Sequence, residues 1–148
     1  MKTKAKAFSI LAAVFALITG VAMAADVSYI NGRSAGEEGT PFSGAVMVDD
    51  TLYVSGALGI VDGKVPEDPA DETRAVLDSI KGTIEAAGMT MDDIVVVQIF
   101  CSDVSTYGVF NDVYRTYFTK QYPARAFIGS GPLLFGATYE IMVTAVKR

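Results

Sequence analysis

The sequence predicts one α+β domain, in which a mixed β-sheet carries two helices on one of its faces. Three observations lead there. Short runs rich in β-branched residues are bounded by turn residues, two longer segments place apolar residues three or four apart, and strands and helices alternate along the chain. No internal repeat, low-complexity tract or linker divides the 148 residues.

The amino-terminal segment is expected to lie outside this domain. Lys2, Lys4 and Lys6 form a basic stretch, Phe8 to Val21 is apolar, and Ala22-Met23-Ala24 offers the small residues that signal peptidase requires. The apolar run spans 14 residues, short of the roughly 20 that cross a bilayer core. Residues 1–24 therefore read as a cleavable signal peptide, residues 25–148 as a single domain, and the mature protein as periplasmic or secreted, with no membrane attachment.

Within the domain, Val46-Met47-Val48 and Leu52-Tyr53-Val54 flank Asp49-Asp50 and predict a β-hairpin. Gly59 to Pro69 is a loop punctuated by glycine and proline. From Pro69 to Ala87, the residues Thr73, Val76, Leu77, Ile80, Ile84 and Ala87 make one apolar stripe of a helix. Asp71 and Glu72 suit its positive end, and Gly88 closes it. Ile94 to Cys101 (IVVVQIFC) is nearly continuous apolar sequence and predicts a central strand covered on both faces. Ser105 is expected to cap a second helix with the stripe Val109, Phe110, Val113, Tyr114, Tyr117 and Phe118, stopped by Pro123. Gly129-Ser130-Gly131-Pro132 is a turn between strands at Arg125–Ile128 and Tyr139–Val146. In the last strand Tyr139, Ile141, Val143 and Ala145 share one face, and Glu140, Met142 and Thr144 the other. Helices on one face leave Met142 and the far side of the 94–101 run uncovered, which predicts oligomerisation through the bare face.

Composition excludes several functions. Without the three amino-terminal lysines, nine basic residues face 17 acidic ones, a net charge near −8. That field repels phosphate backbones and argues against nucleic acid as a partner. The chain has no histidine, which removes Ser-His-Asp and Cys-His catalysis and the usual zinc sites. There is neither a P-loop nor a dinucleotide fingerprint. Cys101, the one cysteine, lies in an apolar strand and reads as core.

Chemistry must then rest on other groups. Arg125 and Glu140 are charges inside apolar strands, where burial without a partner is costly. They can form a structural salt bridge or stand at solvated edges. Alternatively, the arginine fork holds a substrate carboxylate and the glutamate moves a proton or orients a water. Ser55 and Gly56 end a strand, where a serine caps its own turn or donates to a ligand. Asn111 stands on the predicted second helix, on its solvent side by pattern, and the aromatics Tyr107 to Phe118 read as helix packing.

These residues also carry a resemblance. Pro41-Phe42-Ser43, Val54-Ser55-Gly56, Ile84-Glu85-Ala86-Ala87-Gly88, Phe110-Asn111-Asp112-Val113-Tyr114, Phe118, Pro123-Ala124-Arg125 and Tyr139-Glu140-Ile141 occur in the order and spacing of the Rid (YjgF-type) family of imine/enamine deaminases. The match spans Pro41 to Arg148, with Glu140 following Arg125 by 15 residues. The resemblance implies a chorismate-mutase-like fold and a homotrimer with ligand clefts between subunits. It implies that Arg125 grips the carboxylate of a small 2-imino or 2-enamino acid and that Glu140 positions the hydrolytic water, with no metal or organic cofactor required. Ser55, Gly56, Asn111, Phe42 and the backbone beside Phe127 would line the cleft. The chain departs from the best-known members at Phe42 (tyrosine there), Phe127 (cysteine) and Leu134 (proline), and Pro132 and Gly136 alter the same loop. Export separates it from the cytoplasmic pyridoxal enzymes that chiefly produce enamines. A non-catalytic binding protein for small carboxylates, using the same clefts, is therefore the alternative. Ribonuclease activity, ascribed to some relatives, fits poorly with the acidic charge.

Overall fold

A computed structural model describes residues 24–148; the expected signal peptide, Ala24 apart, lies outside the described residues. The sheet has six strands, β1 (Val27–Ile30), β2 (Ala45–Val48), β3 (Thr51–Leu58), β4 (Ile94–Cys101), β5 (Ala124–Gly129) and β6 (Tyr139–Val146), in the order β1-β2-β3-β6-β4-β5. Only β4 and β5 run parallel. Helices α1 (Pro69–Ala86) and α2 (Tyr107–Tyr114) pack on one face. Among the described residues no helix is long and apolar enough to cross a membrane.

Local chemistry sets most boundaries. Asp68 accepts a 2.7 Å hydrogen bond from the Ala70 amide, Pro69 opens α1, and Gly88 leaves it with φ +72°. The expected stripe of α1 is buried from Thr73 to Ile84. It meets Leu52 and Val54 of β3, Val97, Ile99 and Cys101 of β4, and the Tyr139, Ile141, Val143 and Ala145 face of β6 in one core. Burying so many aliphatic side chains, each contributing about 1.5–3 kcal/mol, is what holds helices to sheet.

The structure corrects several expectations. β1 precedes the hairpin and pairs with β2; four residues were too few to show a period. β4 alternates between buried and exposed positions, with Val96 and Gln98 exposed, because the helices cover only one face. It lies next to the edge strand, and β6 sits nearer the centre. Ser105 does not cap α2. The Asp103 carboxylate accepts from the Ser105 amide at 3.0 Å and from its hydroxyl at 2.7 Å, opening a 3₁₀ turn at Val104–Thr106 that leads into the helix. α2 has eight residues and passes into a 3₁₀ turn at Arg115–Tyr117, well before Pro123. Asp92 draws the chain away there, accepting from the amides of Thr119 (2.9 Å) and Lys120 (3.2 Å) and from the Thr119 hydroxyl. Val109, outside the short contact stripe, is exposed.

The opposite face is open. Tyr53, Val96, Ile128 and Met142 are all at least 40% exposed, and Tyr53, Val96, Gln98, Met142 and Thr144 line a shallow hollow of about 130 Å³.

Candidate functional site

Arg125 lies beside Val97 in the β4–β5 ladder, and Phe127 beside Ile99. Val97 and Ile99 point into the core, so both β5 side chains stand on the helix face. There the Arg125 guanidinium carbon sits 4.7 Å from the Tyr114 ring centre, 5.8 Å from Tyr107 and 6.0 Å from Phe127. Its Nη2 reaches the Tyr107 hydroxyl at 3.4 Å. Each such ring contact contributes about 0.5–2 kcal/mol while leaving the guanidinium's hydrogen-bonding edge available. Burial pushes the Tyr114 phenol up to about 12 against the opposing pull of Arg125, so this ring presents a neutral face at physiological pH.

Arg125 forms one wall of a cavity of about 530 Å³ completed by Asn111, Tyr114, Arg115, Tyr122 and Pro123. Asn111 thus faces the arginine rather than open solvent. Tyr107 and Tyr114, which pattern assigned to packing, do pack, against Phe127 and Phe110, and also flank the guanidinium. Phe127 sets its ring edge-on to Tyr107 (4.9 Å) and Phe110 (5.3 Å), bracing the wall from within. Arg115 and Tyr122 were not anticipated. Arg115 is one turn beyond Asn111, whose carbonyl accepts from its Nε at 3.1 Å; that spacing was the available signal.

The second group of expected residues gathers around Glu140. β6 places Glu140 between Leu58 of β3 and Phe100 of β4. A bulge between Val54 and Ala57 inserts Ser55-Gly56 into β3 and bends it there. The Glu140 carboxylate lies over Gly56, occupying the space a Cβ would need. Ser55 does the work of a turn residue. Its hydroxyl donates to the Ser43 carbonyl at 2.7 Å and its amide to the Gly44 carbonyl at 3.0 Å, tying the Phe42–Gly44 segment to the bulge. Phe42 itself is exposed and lines a separate cavity with Arg33, Glu37, Thr40, Pro41 and Ser43.

The two groups do not meet within one protomer. Phe100, beside Glu140, alternates with Val97 and Ile99, so Glu140 projects from the open face while Arg125 projects from the helix face. No salt bridge joins them, and among the described residues neither has an ion-pair partner.

A further carboxylate escaped sequence reasoning. Glu72 of α1 is 1% exposed. Its Oε1 accepts the amides of Thr138 (2.7 Å) and Tyr139 (3.0 Å), and its Oε2 has no protein partner. Pattern gave it only the role of complementing the helix dipole. Cys101 is buried and free, and burial pushes its thiol up. Among the described residues no cluster of three or more His, Cys, Asp or Glu is arranged to hold a metal.

Fold and site together define an α+β protein with an arginine flanked by aromatic rings on the edge strand of its sheet. The chain belongs to the family described as Endoribonuclease L-PSP, whose model matches residues 33–147, and this is the Rid (YjgF-type) family expected from the sequence. It is 36% identical over 110 residues to the 2-iminobutanoate/2-iminopropanoate deaminase of Bos taurus, covering 72% of this chain and 80% of that protein. The structure of YyfA, a conserved Rid family protein of Yersinia pestis, is similar with a TM-score of 0.74 and 34% identity, over 82% of this chain and 99% of that one. E. coli TdcF with bound serine is similar with a TM-score of 0.71 and 26% identity, over 74% and 90% of the two chains.

Proposed function

We infer that this protein hydrolyses 2-imino acids, and 2-enamino acids through their imine tautomers, to 2-oxo acids and ammonia. The observation that carries this reading is Arg125, uncommitted to any carboxylate and held by tyrosine rings at the wall of a cavity shared with Asn111. Its guanidinium fork grips the substrate carboxylate in two parallel hydrogen bonds. The imine carbon is already electrophilic, so the protein supplies mainly orientation and a directed water. As the water oxygen bonds to C2, Glu140 accepts its proton, the C=N electron pair moves to nitrogen, and Glu140 returns that proton to the nitrogen. The resulting carbinolamine expels ammonia and regenerates a carbonyl. Atoms and charge balance without electron transfer. The relatives named 2-iminobutanoate/2-iminopropanoate deaminase support short 2-imino acids as the substrate class.

Because Arg125 and Glu140 leave opposite faces of the sheet, the pair acts across a subunit boundary. Arg125 comes from one protomer and Glu140, with Ser55 and Gly56, from the next. The exposed apolar side chains of the open face support that packing, and a homotrimer provides three equivalent clefts. Phe127, where the best-known members have a cysteine, puts an aromatic ring behind the arginine. The amino-terminal segment supports action in the periplasm or outside the cell.

The test is ammonia release by purified mature protein from imino acid made freshly by an amino-acid oxidase. Acceleration over spontaneous hydrolysis, lost in Arg125→Ala and in Glu140→Ala, is the expected result. Saturable carboxylate binding without acceleration would replace this reading with that of a binding protein.

A further inference from the structure

We propose that Glu72 is a positioning residue for the hydrolytic step, fixing the backbone from which Glu140 projects. This rests on the reading of Glu140 as the water-directing group.

The geometry builds from α1 inward. The β3–β6 ladder ends where Leu58 stands opposite Glu140. Past Leu58 the chain turns off through Gly59, buried against the backbone of Glu72, so no β3 residue is left to receive the amides that open β6. The Glu72 carboxylate takes that place, receiving both with one oxygen, and does so across 66 and 67 residues of sequence. On the other side, the Ser102 amide donates to the Thr138 carbonyl at 3.0 Å and the Ser102 hydroxyl to the Ala137 carbonyl at 3.1 Å. The two residues before Glu140 are therefore held by an ionisable side chain on a helix and by the end of β4. The incoming loop needs such a clamp, since it carries Phe135 at φ +58° and exposes both Leu134 and Phe135. The Glu140 side chain has no hydrogen-bond partner among the described residues, and its carboxylate location follows from Gly56 beneath it and from the strand course that Glu72 sets.

Without an acceptor at this reach, two buried amides would be left unpaired. Removing the clamp lets the start of β6 shift, and a shift on the order of 1 Å at a reacting group costs up to about a hundredfold in rate. The carboxylate grip is on β5, on the opposite face, and does not depend on this clamp.

The experiment compares Glu72→Ala, Glu72→Asp and Glu72→Gln by steady-state deamination, with Glu140→Ala alone as the control. Circular dichroism and sizing restrict the comparison to folded protein of native assembly. Glutamine keeps an acceptor at the same reach, so Glu72→Gln should stay within about twofold of wild type in kcat and KM. Glu72→Asp withdraws the oxygen by one methylene and Glu72→Ala removes it; each should lower kcat at least about tenfold with KM within about twofold. Should Glu72→Ala fail to fold, Glu72→Asp carries the same comparison. Full kcat in Glu72→Asp, or a proportional loss of kcat and assembled protein, would overturn the proposal. If Glu140→Ala alone leaves deamination intact, the functional reading fails instead, and the two failures are thereby distinguished.

Discussion

Replacing Gly56 by alanine isolates the glutamate half of the site. Gly56 is in the β3 bulge directly under Glu140, and its φ is not in the left-handed region, so alanine is compatible with the backbone. The new methyl collides with Glu140 Oε1, and the next nearest atoms, Cδ and Cγ of the same side chain, lie at 3.3 and 3.4 Å. Only the free end of one flexible side chain must yield. Restoring ordinary contact moves the carboxylate by about 1 Å, enough to cost on the order of 10²-fold where it directs a reacting water. Stability should change by less than about 1 kcal/mol, because alanine also restricts the unfolded chain. The assay is imino-acid hydrolysis followed by ammonia release, beside thermal unfolding of the same preparation. The expected result is kcat reduced about 10- to 100-fold with KM and Tm close to wild type. A kcat within twofold of wild type would refute the reasoning that Glu140 acts from this position.

Other outcomes follow from the same geometry. Arg125→Lys keeps the charge but loses the planar fork and much of its stacking on Tyr114, so KM should rise at least about tenfold with a smaller effect on kcat. Phe110→Ala opens a cavity where Phe110 meets Tyr114, Phe127 and Tyr139, and should cost about 3–5 kcal/mol in urea unfolding at fixed protein concentration. Hydrogen bonds from the Thr119 side chain and amide hold the Asp92 carboxyl below its usual range. Its contribution is therefore present above the unfolded value near pH 4 and lost as pH falls through the depressed folded value. Asp92→Asn should accordingly lower Tm at pH 7, with the difference shrinking toward zero as pH falls through the depressed folded value.

Much of this protein is local in origin, and to that extent its sequence determined it. The stripe of α1, the span of β4 and the two-faced alternation of β6 follow from periods set by backbone geometry, and the structure repeats them. Arg125 and Glu140 could be singled out because a charge in an apolar strand is costly wherever the strand ends up. Asn111, Ser55 and Gly56 entered as cleft residues through resemblance; Asn111 lines the cavity that Arg125 lines, and Gly56 lies under the Glu140 carboxylate, while Ser55 ties the bulge to Ser43. Tertiary structure decided what no local pattern encodes. The registers of β5 and β6 against β4 put the two charges on opposite faces, and register reflects pairing between distant segments. Tyr107 and Tyr114 surround the arginine only because α2 crosses over β5. Asp103 displaced Ser105 as the cap because a nearby carboxylate is the stronger acceptor, and Asp92 ended the second helical segment from 27 residues away. Glu72 is the plainest case. In sequence it is one acidic residue in the first turn of a helix, where charge complements the dipole. Only folding shows that the end of β3 leaves two amides at the start of β6 without a strand to receive them, and that the Glu72 carboxylate is the group that does.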